Sequence, residues 1–320
     1  MVQKIKNAKN RYHMFVDDKI TEIFCKCDEF YKLFVVELRK HQVEEGCTRT
    51  KRKYHRDGNL SIPEVMTILI MFHNSGYKYL KHFYLNEIAK NRGDLFPKTV
   101  SYNRFVELQK EAMLPLAVML KKKLLSQCTG ISFADSTPLR VCKNQRIGQH
   151  KVFRGLAQRG QCSMGWFYGF KLHLICNEKG GLINFMLTAG NVDDRKPLEN
   201  KSFVKDLCGK LFADRGYISK TLFATLFVDG IHLVTKLKKG MKGGLQSIED
   251  MLLLRKRAII ETVNDELKNI AQIEHSRHRS VSNFLSNGFA ALSAYCFLPK
   301  KPSIRVEFCN DANNRQLALF

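Results

Sequence analysis

Apolar and polar positions change their rhythm near residue 128. Before it the pattern is helical. Ser61-Ile62-Pro63-Glu64 reads as a capping box with Pro inside the first turn, opening the apolar stretch 65–72. A break follows at Ser75-Gly76, then a second helix over 77–88. After Gly93 and Pro97, Thr99 or Ser101 can cap a third helix that begins Tyr102-Asn103-Arg104-Phe105. From Gly130 the spacing changes to that of strands. Ile131-Ser132-Phe133-Ala134 reads as a short strand ending at Asp135. Residues 166–176 alternate and are rich in aromatics, and Gly180-Gly181 turns the chain into a strand over 182–187. A helix can start after Pro197. Lys210-Leu211-Phe212-Ala213 is a further strand ending at Asp214, 219–228 is helical, Asp229-Gly230 is a turn, and 231–235 is one more strand. Residues 248–273 read as one long helix. Strands first, then alternating helix and strand, imply a mixed sheet flanked by helices behind an all-helical N-terminal region.

Two aspartates share one setting. Phe133-Ala134-Asp135 and Phe212-Ala213-Asp214 each close an apolar strand. Sites in open α/β sheets lie outside strand ends, so neighbouring strands would bring the two carboxylates together. Charges held that close need a cation or a proton between them, and Mg²⁺ suits carboxylate oxygens. Either aspartate alone reads better as the cap of its turn; the matched pair favours a shared site. On the long helix, Arg257, Glu261 and Lys268 are spaced by four and seven and project from one face with Asn264. Spacing alone favours a solvated face with an i,i+4 ion pair. Asp193 and Asp194 read as caps of the next helix, with Asp194 a distant alternative for the second carboxylate. Glu274-His275-Ser276-Arg277-His278-Arg279-Ser280 is a dense donor cluster suited to phosphates, or a polar loop capping the helix after it.

Charge narrows the partners. Lys and Arg number 53 against 30 Asp and Glu, a formal net of +23 over 320 residues. Such a surface attracts polyanions, nucleic acid or an anionic membrane. The apolar runs 65–72 and 289–298 fall short of the ~20 residues a spanning helix needs, and the N-terminal residues lack the apolar core of a secretory signal. Ten cysteines without framework spacing suit reduced thiols. Cys25 and Cys27 with Cys47 and His55 can be drawn as zinc ligands, but Cys-x-Cys is not the usual knuckle. Short helices separated by small turns suit a helix-turn-helix module whose later helix offers Tyr102, Asn103 and Arg104 to DNA; a plain helical bundle with basic faces fits the same pattern.

Six stretches, in order, carry a resemblance: FADSTPL (133–139), GFKLHLICNEKG (169–180), GNVDDRKPLE (190–199), FADRGYIS (212–219), LLLRKRAIIETVNDELKN (252–269) and IEHSRHRS (273–280). The chain resembles the DDE transposases of bacterial insertion sequences, most closely the insertion-sequence 982 family within the wider IS4/IS5-like group. In that wider group the third acidic residue sits in a Tyr-Arg-Glu-Lys pattern. Arg257, Glu261 and Lys268 match it, and Leu254 stands where the Tyr would be. The resemblance implies a ribonuclease-H-like core in which Asp135, Asp214 and Glu261 are catalytic and bind two Mg²⁺ or Mn²⁺ ions. It also implies double-stranded DNA as partner, both terminal repeats and target, a homodimer in the DNA complex, and a cytoplasmic, nucleoid-associated protein with no membrane partner. Arg257 and Lys268 then contact phosphates by position; Lys171 and His173 are assigned the same task without a motif behind them, and Arg277 and Arg279 join from the donor cluster. The expected division is a helix-turn-helix-like DNA-binding region over 1–128, a catalytic domain over 129–299 and a tail over 300–320. A ribonuclease-H-like nuclease without strand transfer and a non-catalytic DNA-binding relic are the competing readings.

Overall fold

The structure is a computed structural model that describes residues 17–44, 58–237, 247–274, 278–308 and 317–319. The chain forms two compact units, Met1–Leu124 with Leu267–Phe297, and Leu125–Glu266 with Leu298–Phe320.

The first unit is helical. Helix α1 (Asp17–Glu44), α2 (Ile62–Asn74), α3 (Leu80–His82, running on as a π-helix over Phe83–Asn91) and α4 (Tyr102–Met119) come from the N-terminal part. The capping box at the head of α2 is formed: the Ser61 hydroxyl accepts from the Glu64 N–H, and the Ser61 N–H donates to Glu64 Oε2 at 2.7 Å. Its apolar stretch is buried without interruption from Val65 through His73, so α2 is the axis of the unit rather than an amphipathic surface helix. Burial pushes His73 down to about 4, and its Nδ1 meets the Ala271 carbonyl. Cys27 is buried in the same core, its thiol pushed up to about 12. That placement makes it a core side chain rather than a zinc ligand; Cys47 and His55 lie outside the described residues. No helix among the described residues is long and apolar enough to cross a membrane.

The compact units depart from the linear division at 128/129 and 299/300. The C-terminal helix, Val281–Cys296, packs on α2 and α4: Asn74 Nδ2 donates to the Ala294 carbonyl at 3.2 Å and Ser286 Oγ to the Gln109 carbonyl at 2.7 Å. Its apolar side (Ala290, Ala294, then Phe297) completes the first core, which the α2 surface requires and linear order does not reveal.

The second unit is built on a mixed sheet. Strand β1 (Ile131–Cys142) pairs antiparallel with β3 (Gly165–Asn177), whose other edge is shared by β2 (Gln158–Cys162) and β4 (Leu182–Ala189). Strand β5 (Gly209–Ala213) joins β1 in parallel and β6 (Ile231–Thr235) joins β5 in parallel. This is the α/β, ribonuclease-H-like mixed sheet flanked by helices that the resemblance implies, with β7 (Val306–Phe308) and β8 (Leu317–Leu319) forming a separate pair. One sheet face buries Ala134, Ile175, Leu211 and Ala213 under α5 (Lys201–Val204) and α6 (Lys220–Val228).

Three local expectations need correcting. β1 does not stop at Asp135 but runs on through Pro138; β5 pairs with it only as far as Phe133, so Pro138 lies beyond that pairing, where a missing N–H is tolerated. The helix expected over 248–273 is two, α7 (Ile248–Lys256) and α8 (Ala258–Asn269), with Arg257 closing the first. Asp193 does not cap a helix but takes the Arg195 backbone N–H at 2.9 Å and its guanidinium at 2.6 Å.

Candidate active site

Parallel pairing places the two aspartates. β1 and β5 run in register as Ile131 beside Lys210, Ser132 beside Leu211 and Phe133 beside Phe212. Two residues further along the chain stand Asp135, still within β1, and Asp214, the first residue past β5. Alternation puts them on the same face as Phe133 and Phe212, whose rings stack at 5.6 Å beneath them. The matched aromatic-Ala-Asp pattern is therefore one site seen twice: the aromatic packs the sheet against its neighbour and the aspartate leaves at the strand's open end.

The broken helix approaches this face. Lys210 Nζ, on the Phe212 side of β5, pairs with Asp250 of α7 at 2.7 Å. From α8, buried Asn264 donates its Nδ2 to Asp135 Oδ2 at 3.0 Å. Arg257, at the helix break, pairs through Nη2 with Glu261 Oε1 at 2.6 Å, its side chain 16% exposed against 57% for the glutamate. Burial pushes the Asp135 carboxyl up to about 6; Glu261 and Asp214 add to the rise, while the Ser136 N–H and Arg257 oppose it. The charges felt by Asp135 thus include both other predicted carboxylates, Asp214 and Glu261. Asp214 and Glu261 are exposed.

Oxygen-only donors of this kind suit a hard divalent cation, and Asp135, raised chiefly by burial and further by two carboxylates, is the group such an ion would relieve. Among the described residues no three His, Cys, Asp or Glu side chains converge tightly enough to enclose an ion. Glu261 instead has Arg257 as its partner.

Other predicted residues are placed elsewhere. Register sets Ser136 beside His173 and Pro138 beside Lys171, on the sheet face opposite Asp135. There Lys171 is bound to Asp194 at 2.9 Å and to the Val192 carbonyl at 3.0 Å. His173 bonds Thr188 Oγ1 at 2.9 Å, and burial pushes it down to about 4. A lysine already paired and a neutral histidine form a structural network on that face. Asp194, the alternative second carboxylate, belongs to this network and not to the pair at the strand ends. Tyr217 closes the network: its hydroxyl bonds Ser136, and burial holds it well above the ordinary phenol range.

Lys268 follows Glu261 by two turns on α8 and comes within 4.0 Å of Glu274. Arg279 is exposed, and Arg277 lies outside the described residues. Tyr102 is half-buried, its ring 6.1 Å from that of Tyr84, while Arg104 is exposed and paired with Glu107 at 2.8 Å. These residues belong to the helical unit, the carboxylates to the sheet unit. Sequence reasoning named Asn264 only as a neighbour on the Glu261 face and did not single out Tyr217; the signal for Asn264 was its i+3 spacing from Glu261, and for Tyr217 its place three residues after Asp214.

Residues 125–281 match the family model described as Transposase DDE domain. No curated protein is significantly similar in sequence. Among solved structures, the piggyBac transposase synaptic complex with hairpin DNA is similar at a TM-score of 0.43 and 10% identity, covering 88% of this chain and 72% of that one. The Mos1 strand transfer complex is similar at a TM-score of 0.23 and 13% identity, covering 79% of this chain and 81% of that one. Likeness at that level says nothing of function. The stretch that matches the family model, residues 125–281, is the one that holds Asp135, Asp214, Arg257 and Glu261.

Proposed function

We propose that the protein is a DNA transposase of the insertion-sequence type, nearest the insertion-sequence 982 family, acting on double-stranded terminal repeats and target DNA as a homodimer in the bacterial nucleoid. The observation that carries this reading is the place of Asp135 and Asp214, each two residues beyond the paired Phe133 and Phe212 of parallel strands, with Asn264 of the Glu261 helix bonded to Asp135. Asp135, Asp214 and Glu261 would hold two Mg²⁺ or Mn²⁺ ions, which supply activation of a water or DNA 3′-hydroxyl and stabilisation of the leaving oxygen at phosphorus. The chain's own groups do the positioning. Asn264 fixes the direction of the Asp135 carboxylate through its amide bond to Oδ2. Arg257 pairs with Glu261 and presents a guanidinium able to meet a phosphate with two parallel hydrogen bonds. Lys268 and Arg279 are proposed as phosphate contacts of the helical unit.

The test is a strand-transfer assay with purified protein, a duplex bearing the flanking element's end, and Mg²⁺ or Mn²⁺. Wild type is expected to give joined product and Glu261→Gln none. Cleavage without joining would support a nuclease instead. Salt-sensitive binding without chemistry under either metal would leave a DNA-binding relic.

A further inference from the structure

Between β1 and β3 the chain makes an excursion that the carboxylate site does not use. Residues 143–166 contain five Lys or Arg and no Asp or Glu. Lys143, Arg146 and Arg159 are exposed and in no ion pair among the described residues. At the end of the β2–β3 hairpin stand Met164, 80% exposed, and Trp166, 62% exposed, the single tryptophan of the chain.

The hairpin register arranges these groups. Arg159 lies beside Tyr168 and Gln161 beside Trp166, so alternation sets Arg159 and Trp166 on one face, while Phe167 between them on β3 is buried beneath. From the other strand boundary, Asn144 Nδ2 donates to the Trp166 carbonyl at 2.9 Å. That bond ties the short 3₁₀ turn Asn144–Arg146, and with it Lys143 and Arg146, to the backbone of Trp166. A large aromatic left in water thus shares its face with the cation Arg159, and two more cations lie on the turn bonded to its backbone, none of them in an ion pair among the described residues. Apolar partners do not call for such cations, and a plain phosphate site does not call for the indole. Nucleic acid has both a π-face and flanking negative charge.

We propose that the β2–β3 hairpin is a DNA contact in its own right. In it Trp166 stacks on a base that has left the helical stack, while Lys143, Arg146 and Arg159 hold the adjoining phosphates. The inference rests on the transposase reading and deepens it by naming the form of DNA recognised: an unpaired nucleotide rather than the regular duplex.

Because Trp166 is the sole indole, its emission reports on this hairpin directly. The full chain, in chelator to prevent cleavage, is titrated with three fluorescein-labelled oligonucleotides: a blunt duplex, the same duplex with one unpaired base, and a single strand. Trp166 emission and probe anisotropy are read together. Emission is expected to be quenched by the unpaired-base and single-strand probes. Trp166→Ala should weaken both by on the order of tenfold, leave the blunt duplex unchanged, and be rescued by Trp166→Phe. Arg159→Ala should weaken all three and lower the salt slope by about one. Rising anisotropy with unchanged emission and a silent Trp166→Ala would overturn the hairpin contact and leave the transposase reading standing. Flat anisotropy with every probe would overturn both. An emission change with protein concentration alone, accompanied by dimer formation in sedimentation, would make this face a contact between copies of the chain and overturn the proposal as well.

Discussion

Asp135→Asn is expected to reduce metal-dependent cleavage by on the order of a thousandfold or more, the scale on which loss of one catalytic group is felt, and at the same time to raise the melting temperature of the metal-free protein. Both effects follow from one feature. The carboxyl is raised from an ordinary 3.8 to about 6, chiefly by burial. Between those values the folded chain keeps a proton that the unfolded chain has released. Stability therefore falls as pH rises through that window, and the deficit persists above it. A shift of that size corresponds to at most ~3 kcal/mol, reduced by the solvent that still reaches a half-buried group. Asparagine keeps the shape without the charge, and its Oδ1 can accept from Asn264 Nδ2 as the carboxylate does. In chelator at pH 8 the variant should melt several degrees above wild type, and near pH 4 the two should coincide. Added Mg²⁺ or Mn²⁺ should stabilise wild type and leave the variant unmoved. Scanning calorimetry across pH and metal checks all three arms. A variant that melts no higher than wild type at pH 8 in chelator would show that Asp135 carries no such burden.

The parts of this arrangement that sequence could reveal are those written in local spacing. Phe133-Ala134-Asp135 and Phe212-Ala213-Asp214 repeat because two neighbouring strands meet the same demands, an aromatic against the sheet and a carboxylate at the end. The capping box at Ser61 and the turn at Gly230 are equally local. What escaped depends on register or on distant packing. Lys171 and His173 share a face by alternation, but which face is decided by the offset of β3 against β1, and that offset is a tertiary fact. The break at Arg257 has neither Gly nor Pro to announce it. Likewise the final helix carries an apolar stripe that any core would accept; only the buried surface of α2 decides that it closes the helical unit.

Gly209→Ala is the second large effect, and it tests the register itself. Gly209 sits at a φ of +74°, a conformation costing an L side chain about 1–2 kcal/mol. A Cβ there would also meet the Gly130 carbonyl oxygen at 2.4 Å, where no flexible side chain can give way. That same carbonyl accepts the Lys210 N–H at 2.8 Å and opens the short β1–β5 pairing, which spans only three residue pairs. Moving the two backbones apart at Gly130 tilts β5 against β1 and carries Asp214 away from Asp135. The substitution should destabilise by roughly 3 kcal/mol, near the upper end for point changes, and cleavage should fall further than the folded fraction does. Gly216→Ala is the control for stability: it lies two residues past Asp214, and a Cβ there meets nothing within 4 Å. Its melting temperature should match wild type to within about a degree. If Gly209→Ala retained both melting temperature and cleavage, close approach at Gly130 would not be what sets the two aspartates side by side. The stacked Phe133 and Phe212 beneath them would then hold the register alone, and truncating either ring should produce the loss that Gly209→Ala had failed to give.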